Sequence, residues 1–144
     1  MTRLARPLLL CIALLAPVRD GSCANGGVIV IGNPQLPVSS LSTAQLTAIY
    51  LHRETLWPGG MVVVAVNQDI SSAARRRFSL DVFQQPPEAL GEYWTRMHFR
   101  GQNPPLVLDS DAAVAAFVQR VPGSVGYVSA GTPVEEVKIL KRLP

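Results

Sequence analysis

Apolar residues fall in two rhythms along the chain. Four short apolar-rich runs are strand-length: 28–31, 61–66, 124–128 and 137–140. The run 61–66 is β-branched and not alternated with polar residues, which predicts a strand covered on both faces. Between them the apolar spacing changes to three and four. Leu46, Ile49 and Tyr50 predict one helix; Leu90, Tyr93, Trp94 and Met97 predict another with a large aromatic core face; Val114, Phe117, Val118 and Val121 predict a third. A further helix is expected from about Ser72 to Phe78, with Phe78 inward.

Local signals fix where these elements begin and stop. Ser42 with Gln45 three residues on is a capping box, and Leu41 and Leu46 stand at the staple positions. Pro86 and Pro87 suit a first helical turn, and Gly101 with Pro104-Pro105 closes that helix. Ser110 caps the next helix, which Pro122-Gly123 ends. Strands alternating with helices make the fold α/β, with a mainly parallel sheet flanked by helices.

The stretch from Met61 to Arg75 organises the rest. It reads as a buried strand, a polar turn at Asn67-Gln68-Asp69, and a helix opening at Ser71-Ser72. A strand leading into a helix N-terminus presents free backbone N–H groups and a positive dipole end to an anion. Ser71 and Ser72 serve equally well as caps, and Asp69 works against an anion. Three consecutive arginines, Arg75 to Arg77, fan around a helix and are read as a solvated surface, with an anion or partner contact as the lesser reading. Arg96 and Arg100 are read as surface charges, although Arg100 lies in a Gly- and Pro-rich loop able to face a ligand or partner.

The N-terminus changes the picture of charge and compartment. Arg3 and Arg6 precede the apolar core Leu8 to Ala16, and Ser22-Cys23-Ala24 follows. That order predicts a secretory signal over residues 1–24 and a periplasmic protein of residues 25–144 forming one domain. The apolar core is too short for an anchor helix. Lipid anchoring at Cys23 is the lesser reading, because Asp20 stands where an aliphatic residue is expected. The whole chain has 13 basic and 10 acidic residues; without Arg3, Arg6, Arg19 and Asp20 it keeps 10 and 9. A net charge near +1 gives no reason to expect nucleic acid as a partner. Cys11 and Cys23 are the two cysteines, so removal of the leader leaves no disulfide, thiol nucleophile or cysteine metal site.

Catalytic patterns are not found. His52 and His98 lie on separate predicted helices without a ligand or acid at helical spacing, so neither a zinc site nor a His-based pair is indicated. Gly123-Ser124-Val125-Gly126 lacks nucleophile-elbow spacing and reads as a turn entering a strand. No enzyme activity and no cofactor are expected.

The run Ala115 to Val128, with its Pro122-Gly123-Ser124-Val125-Gly126-Tyr127 core, resembles the helix–turn–strand of phosphate-binding proteins of ABC transporters. Pro37 to Ser42 with Ile49-Tyr50-Leu51 and Trp57, and the strand Val62 to Val66, match the same family in the same order. The resemblance covers most of residues 27–130. It implies a single lobe of the type II periplasmic solute-binding fold, where the full receptors clamp an anion between two. It also places their phosphate loop at 67–74. The family's arginine is replaced there by Asn67 or Gln68, and its Gly-Ser-Gly-Thr by Ser71-Ser72-Ala73-Ala74, so Ser72 alone is retained. An arginine–phosphate pair contributes about 1.5–3 kcal/mol, only part of which a neutral amide replaces.

The expected ligand is therefore inorganic phosphate or a similar oxyanion, bound weakly by Asn67, Gln68, Ser71 and Ser72. Ser39 and Ser40 stand either as further hydroxyls near the same sheet edge or as residues shaping the loop before Ser42. The competing expectation is a periplasmic adapter or sensor module for a membrane transporter or sensor partner that has given up solute capture. Its contacts are Trp57, Arg75 to Arg77 or the 99–106 loop. A homodimer that rebuilds the missing lobe is the third.

Overall fold

The computed structural model describes residues 26–144, so the expected leader with Cys11 and Cys23 lies outside the described residues. In chain order the strands are β1 (Val28–Gly32), β2 (Val64–Gln68), β3 (Leu106–Leu108), β4 (Ser124–Ser129) and β5 (Lys138–Leu143). The helices are α1 (Thr43–Tyr50), α2 (Ala73–Phe83), α3 (Gly91–His98) and α4 (Asp111–Arg120), and a 3-10 turn (Pro87–Leu90) runs directly into α3.

The five strands form one sheet in the order β3-β2-β4-β1-β5. β2 pairs parallel with β3 and with β4, whereas β1 is antiparallel to both β4 and β5. Four strands thus share one direction and β1 alone opposes them. The α/β expectation holds, but the reversal makes half of the ladders antiparallel. All five β1 residues are buried, and a strand covered on both faces has the same apolar pattern whichever way it runs.

Alternation along the strands sorts side chains between two cores. Val28 and Val30 face α1 and α2, together with Leu46, Ile49, Tyr50, Phe78, Val125 and Tyr127. Ile29 and Ile31 face α4, together with Val66, Val114, Val118 and Val128. The first core is knit by aromatic rings: Phe78 stacks on Tyr127 at 4.0 Å and meets Tyr50 at 4.7 Å. Tyr50 donates its phenol proton to the Val66 carbonyl at 3.0 Å, so this large buried side chain carries no unmet polar group.

The capping box forms as expected: Gln45 N donates to Ser42 Oγ at 3.1 Å and Ser42 N to Gln45 Oε1 at 2.9 Å. Elsewhere element limits differ from expectation. The central strand does not begin at Met61. Leu56 and Val62 form an isolated bridge around a turn in which Gly59 and Gly60 have positive φ, and β2 then runs from Val64 through Asn67 to Gln68. Pairing with β3 carries the strand past its apolar run. α2 continues five residues beyond Phe78 and stops at Gln84 in the left-handed region. β3 is a strand not anticipated: three residues behind Pro104-Pro105 carry too little pattern. Leu90 is buried, but Tyr93, Trp94 and Met97 are only half-buried, because no further layer packs over α3.

Gly123 shows how tightly the hairpin meets the sheet. Its φ is +79°, a Cβ there would stand 2.2 Å from the Val62 carbonyl oxygen, and its own carbonyl accepts from Trp57 Nε1 at 2.8 Å and Val64 N at 3.0 Å. Gly101 has φ +78° with open space around its Cβ position. Gly101→Ala is expected to cost about 1 kcal/mol from backbone strain, and Gly123→Ala roughly 2–4 kcal/mol from strain plus contact. Urea unfolding of both variants checks this, and equal losses would show that the contact contributes nothing.

Candidate functional site

β2, β3 and β4 end on the same side of the sheet, and the N-termini of α2 and α4 meet them there. Gln68, the last residue of β2, is only 3% exposed although polar. Its side chain straddles the end of the sheet. Nε2 donates to Asp111 Oδ1 at 2.6 Å and to the Tyr127 carbonyl at 2.9 Å, while Oε1 accepts from Ser72 Oγ at 2.6 Å. One amide thereby ties β2, β4 and the first residues of both helices, with both of its protons and its oxygen used.

The neighbours complete the network. Tyr127 OH accepts from Gln68 N at 3.2 Å and donates to Asn67 Oδ1 at 2.7 Å. Ser72 Oγ accepts from Arg75 N at 3.3 Å, the N-cap bond of α2. Arg75 folds back so that Nη1 donates to the Gln68 carbonyl at 2.6 Å. Asp111 Oδ2 accepts from Ser129 N at 3.1 Å and Thr132 Oγ1 at 2.7 Å. Asp69 Oδ1 accepts from Ser71 N at 2.9 Å and Ser71 Oγ at 2.6 Å.

These bonds set the charges. Burial pushes the Asp111 carboxyl up, but hydrogen bonds from Thr132, Ser129 and Gln68 outweigh it and hold the group below its ordinary value. The side-chain and backbone hydrogen bonds from Ser71 lower Asp69 as well. Burial pushes the Tyr127 phenol up to about 12 and that of Tyr50 well above its usual value, so both stay neutral donors. The hydrogen-bonded network at the end of the sheet therefore carries two carboxylates and one guanidinium, and the exposed Asp109 follows directly on β3.

Of the residues singled out from sequence, Asn67, Gln68, Ser71 and Ser72 do come together. They do not form an open polar turn. Asn67 and Gln68 belong to the strand, and the side-chain groups of Gln68, Ser71 and Ser72 are engaged with one another, Asp111 and Asp69. Ser39 and Ser40 are exposed and lie elsewhere: Leu41 N donates to the Leu140 carbonyl, and Lys138 Nζ holds the Leu36 carbonyl, which ties their loop to β5. The reversal of β1 delivers that loop to the opposite end of the sheet. Among the described residues the donors around the α2 N-terminus without a hydrogen bond are the backbone N–H groups of Ile70, Ala73 and Ala74, the Asn67 side-chain amide nitrogen, whose oxygen alone is engaged, and the Arg75 guanidinium nitrogens other than Nη1.

Two participants, Asp111 and Thr132, are not singled out by the sequence pattern, and Arg75 is read there mainly as a surface charge. Asp111 is a first-turn acid beside the Ser110 cap, a common place for one, and Thr132 sits in a turn without any motif. Arg75 carried a readable signal, since it stands three residues after an N-cap and seven after the strand end, but the charge run masked it. Arg76 and Arg77 behave as surface residues, paired with Glu88 at 3.7 Å and Asp81 at 2.9 Å. Among the described residues no group of three His, Cys, Asp or Glu is placed to hold a metal ion. No helix there is long and apolar enough to cross a membrane.

No family model matches the chain, and no curated protein matches it. Solved structures do. One is described as a phosphate ABC transporter substrate-binding protein from Clostridium perfringens, with bound phosphate: 23% identity, TM-score 0.65, over 81% of this chain and 44% of that one. A second is an ABC-type phosphate transport receptor from Vibrio cholerae, at 21% identity and TM-score 0.63 over 81% and 46%. A third is PstS from Borrelia burgdorferi, at 19% and 0.59 over 81% and 47%. The chain spans a little under half the length of each. The likeness establishes the fold, that of a single lobe of the periplasmic solute-binding type.

Asp111 gives the site a pH signature. Its folded pKa lies below the ordinary 3.8, so the stability it contributes is fully present above about pH 4 and is lost as pH falls through the folded value. Asp111→Asn is expected to cost about 1 kcal/mol at pH 7, the low end for bonds to a charged group because the carboxylate is part-exposed. It should also flatten the decline of stability between pH 4 and lower values. Urea unfolding across that range measures both, and an unchanged acid limb would remove Asp111 from the account.

Proposed function

We propose that this chain is an exported oxyanion-binding lobe, taking phosphate or a similar anion weakly at the N-terminus of α2 and serving phosphate transport or sensing. The observation that carries this reading is the set of unbonded N–H groups at Ile70, Ala73 and Ala74 beside the Arg75 guanidinium, at the end of the sheet where both helix N-termini converge. Arg75 supplies, from the helix, the charge that the strand end lacks. The fold likeness to a structure holding phosphate supports the class of ligand. Asn67, Gln68, Ser71 and Ser72 line this place, but the hydroxyls of the two serines must exchange present partners to reach a ligand. Ser39 and Ser40 take no part.

A second reading, the periplasmic adapter or sensor module for a membrane partner, is favoured by one observation. The Gln68–Ser72–Asp111 network is complete without a ligand, and Asp69 already sets a carboxylate against the turn. A homodimer that rebuilds the second lobe is a third reading, separate from the adapter.

Backbone amide NMR separates the two. Phosphate and sulfate at millimolar concentration should shift Ile70, Ala73 and Ala74 saturably. Asp69→Ala removes the opposing carboxylate and should tighten binding several-fold, while Arg75→Ala should weaken it about tenfold. A folded protein whose amides do not respond leaves the adapter reading standing.

A further inference from the structure

A second concave feature lies away from the α2 N-terminus. β3 pairs with β2 only along Val66–Gln68, so the edge at Val63 to Ala65 is uncovered and the 101–106 loop diverges from it. The resulting groove, about 430 Å³, has Val63, Val64, Ala65, Pro104, Pro105 and Leu106 as apolar lining. It adjoins a second hollow of about 190 Å³ through the shared residues His52, Thr55, Val63 and Ala65. A largely apolar concavity with a few convergent polar groups is the usual form of a small-molecule site.

The charge of the lining is acidic. Glu54 is the one acidic or basic side chain lining either hollow apart from His52, and it has no ion-pair partner among the described residues. No arginine or lysine lines the space. His52 has its pKa lowered by burial, which favours the neutral ring. On the opposite wall Gln102 Oε1 is the one buried side-chain polar atom without a hydrogen bond among the described residues. A buried acceptor without a donor is an unfavourable arrangement. Rotation of that amide toward the groove relieves it once a ligand brings a donor.

We infer that the two joined hollows, with Glu54 lining the smaller, Gln102 the larger and Thr55 both, form a binding site for a small organic cation, an amine or guanidinium on an apolar body. The cation pairs with Glu54, its remaining N–H groups reach Thr55 and Gln102, and the apolar body lies on Val63 to Ala65 and Leu106. An anion is repelled by Glu54 and finds no cation in the lining. This site and the α2 N-terminus therefore take ligands of opposite sign, and neither depends on the other.

Benzylamine, benzyl alcohol and benzoate are matched probes, titrated into the described domain with its leader removed and followed by backbone amide NMR. Benzylamine should shift Thr55, Val63 to Ala65, Gln102, Asn103 and Leu106 saturably in the millimolar range, with benzyl alcohol at least several-fold weaker and benzoate silent. Glu54→Gln should weaken benzylamine about tenfold while the spectrum otherwise stays native. Gln102→Ala, on a loop, should weaken it by a smaller factor. No saturable shift with benzylamine, equal binding of benzoate, or full affinity in Glu54→Gln overturns the assignment. Phosphate shifts confined to Ile70, Ala73 and Ala74 uphold the separation of the sites, and phosphate shifts in the groove overturn it.

Discussion

A primary amide buried at the end of a sheet must have its two protons and its oxygen satisfied, and most of this molecule's polar architecture follows from meeting that demand at Gln68. The donor side reaches Asp111 and the Tyr127 carbonyl; the acceptor side reaches Ser72. Because these partners sit on α4, β4 and the α2 cap, satisfying one side chain sets the relative position of both helices and two strands. Removal of any partner strands a buried group, and that costs more than the lost bond itself. The aromatic stack of Phe78 on Tyr127 lies under the same point, so the polar network and the first core share Tyr127.

The same arrangement explains why the serine hydroxyls at the end of the sheet are engaged within the molecule. Neutral glutamine at the strand end can be buried and internally bonded; an arginine there would keep its charge pointed outward. Having Gln68 inside frees Arg75 to reach back over the strand from the helix. The positive charge is thus carried by the third residue of α2, and the ionised carboxylates of Asp69 and Asp111 are stabilised mainly by hydrogen bonds from serine, threonine and amide groups. Ligand affinity at such a place depends on competition between an incoming oxyanion and carboxylates already present, so it is set by small differences.

Much of the fold was legible because it rests on local rules. The Ser42–Gln45 box, the Ser110 cap, the Pro122-Gly123 stop and the spacing of Leu46, Ile49 and Tyr50 are all read from neighbours in the chain and all occur. What stayed hidden is non-local. The direction of β1 leaves no trace in a run buried on both faces, and that direction decided where Ser39 and Ser40 went. β3 owes its existence to β2 next to it. The partnership of Gln68 with Asp111 joins residues 43 positions apart, and neither carries a mark of the other. Tyr93, Trp94 and Met97 have core-like spacing, yet no element arrives to cover them.

The short edge strand has a consequence for how this protein behaves in concentrated solution. β3 exposes Leu106 and Val107, each 48% accessible, and its outer side has no partner in the sheet. A longer strand of that composition would recruit neighbouring chains edge to edge. Here the outward hydrogen-bonding positions alternate through residues 105, 107 and 109, since Leu108 turns its carbonyl to β2. They are a proline that lacks a donor, one valine, and an aspartate that repels its own kind. A single usable rung is too little to seed intermolecular sheet, so the strand that opens the groove stays monomer-compatible in spite of its greasy surface.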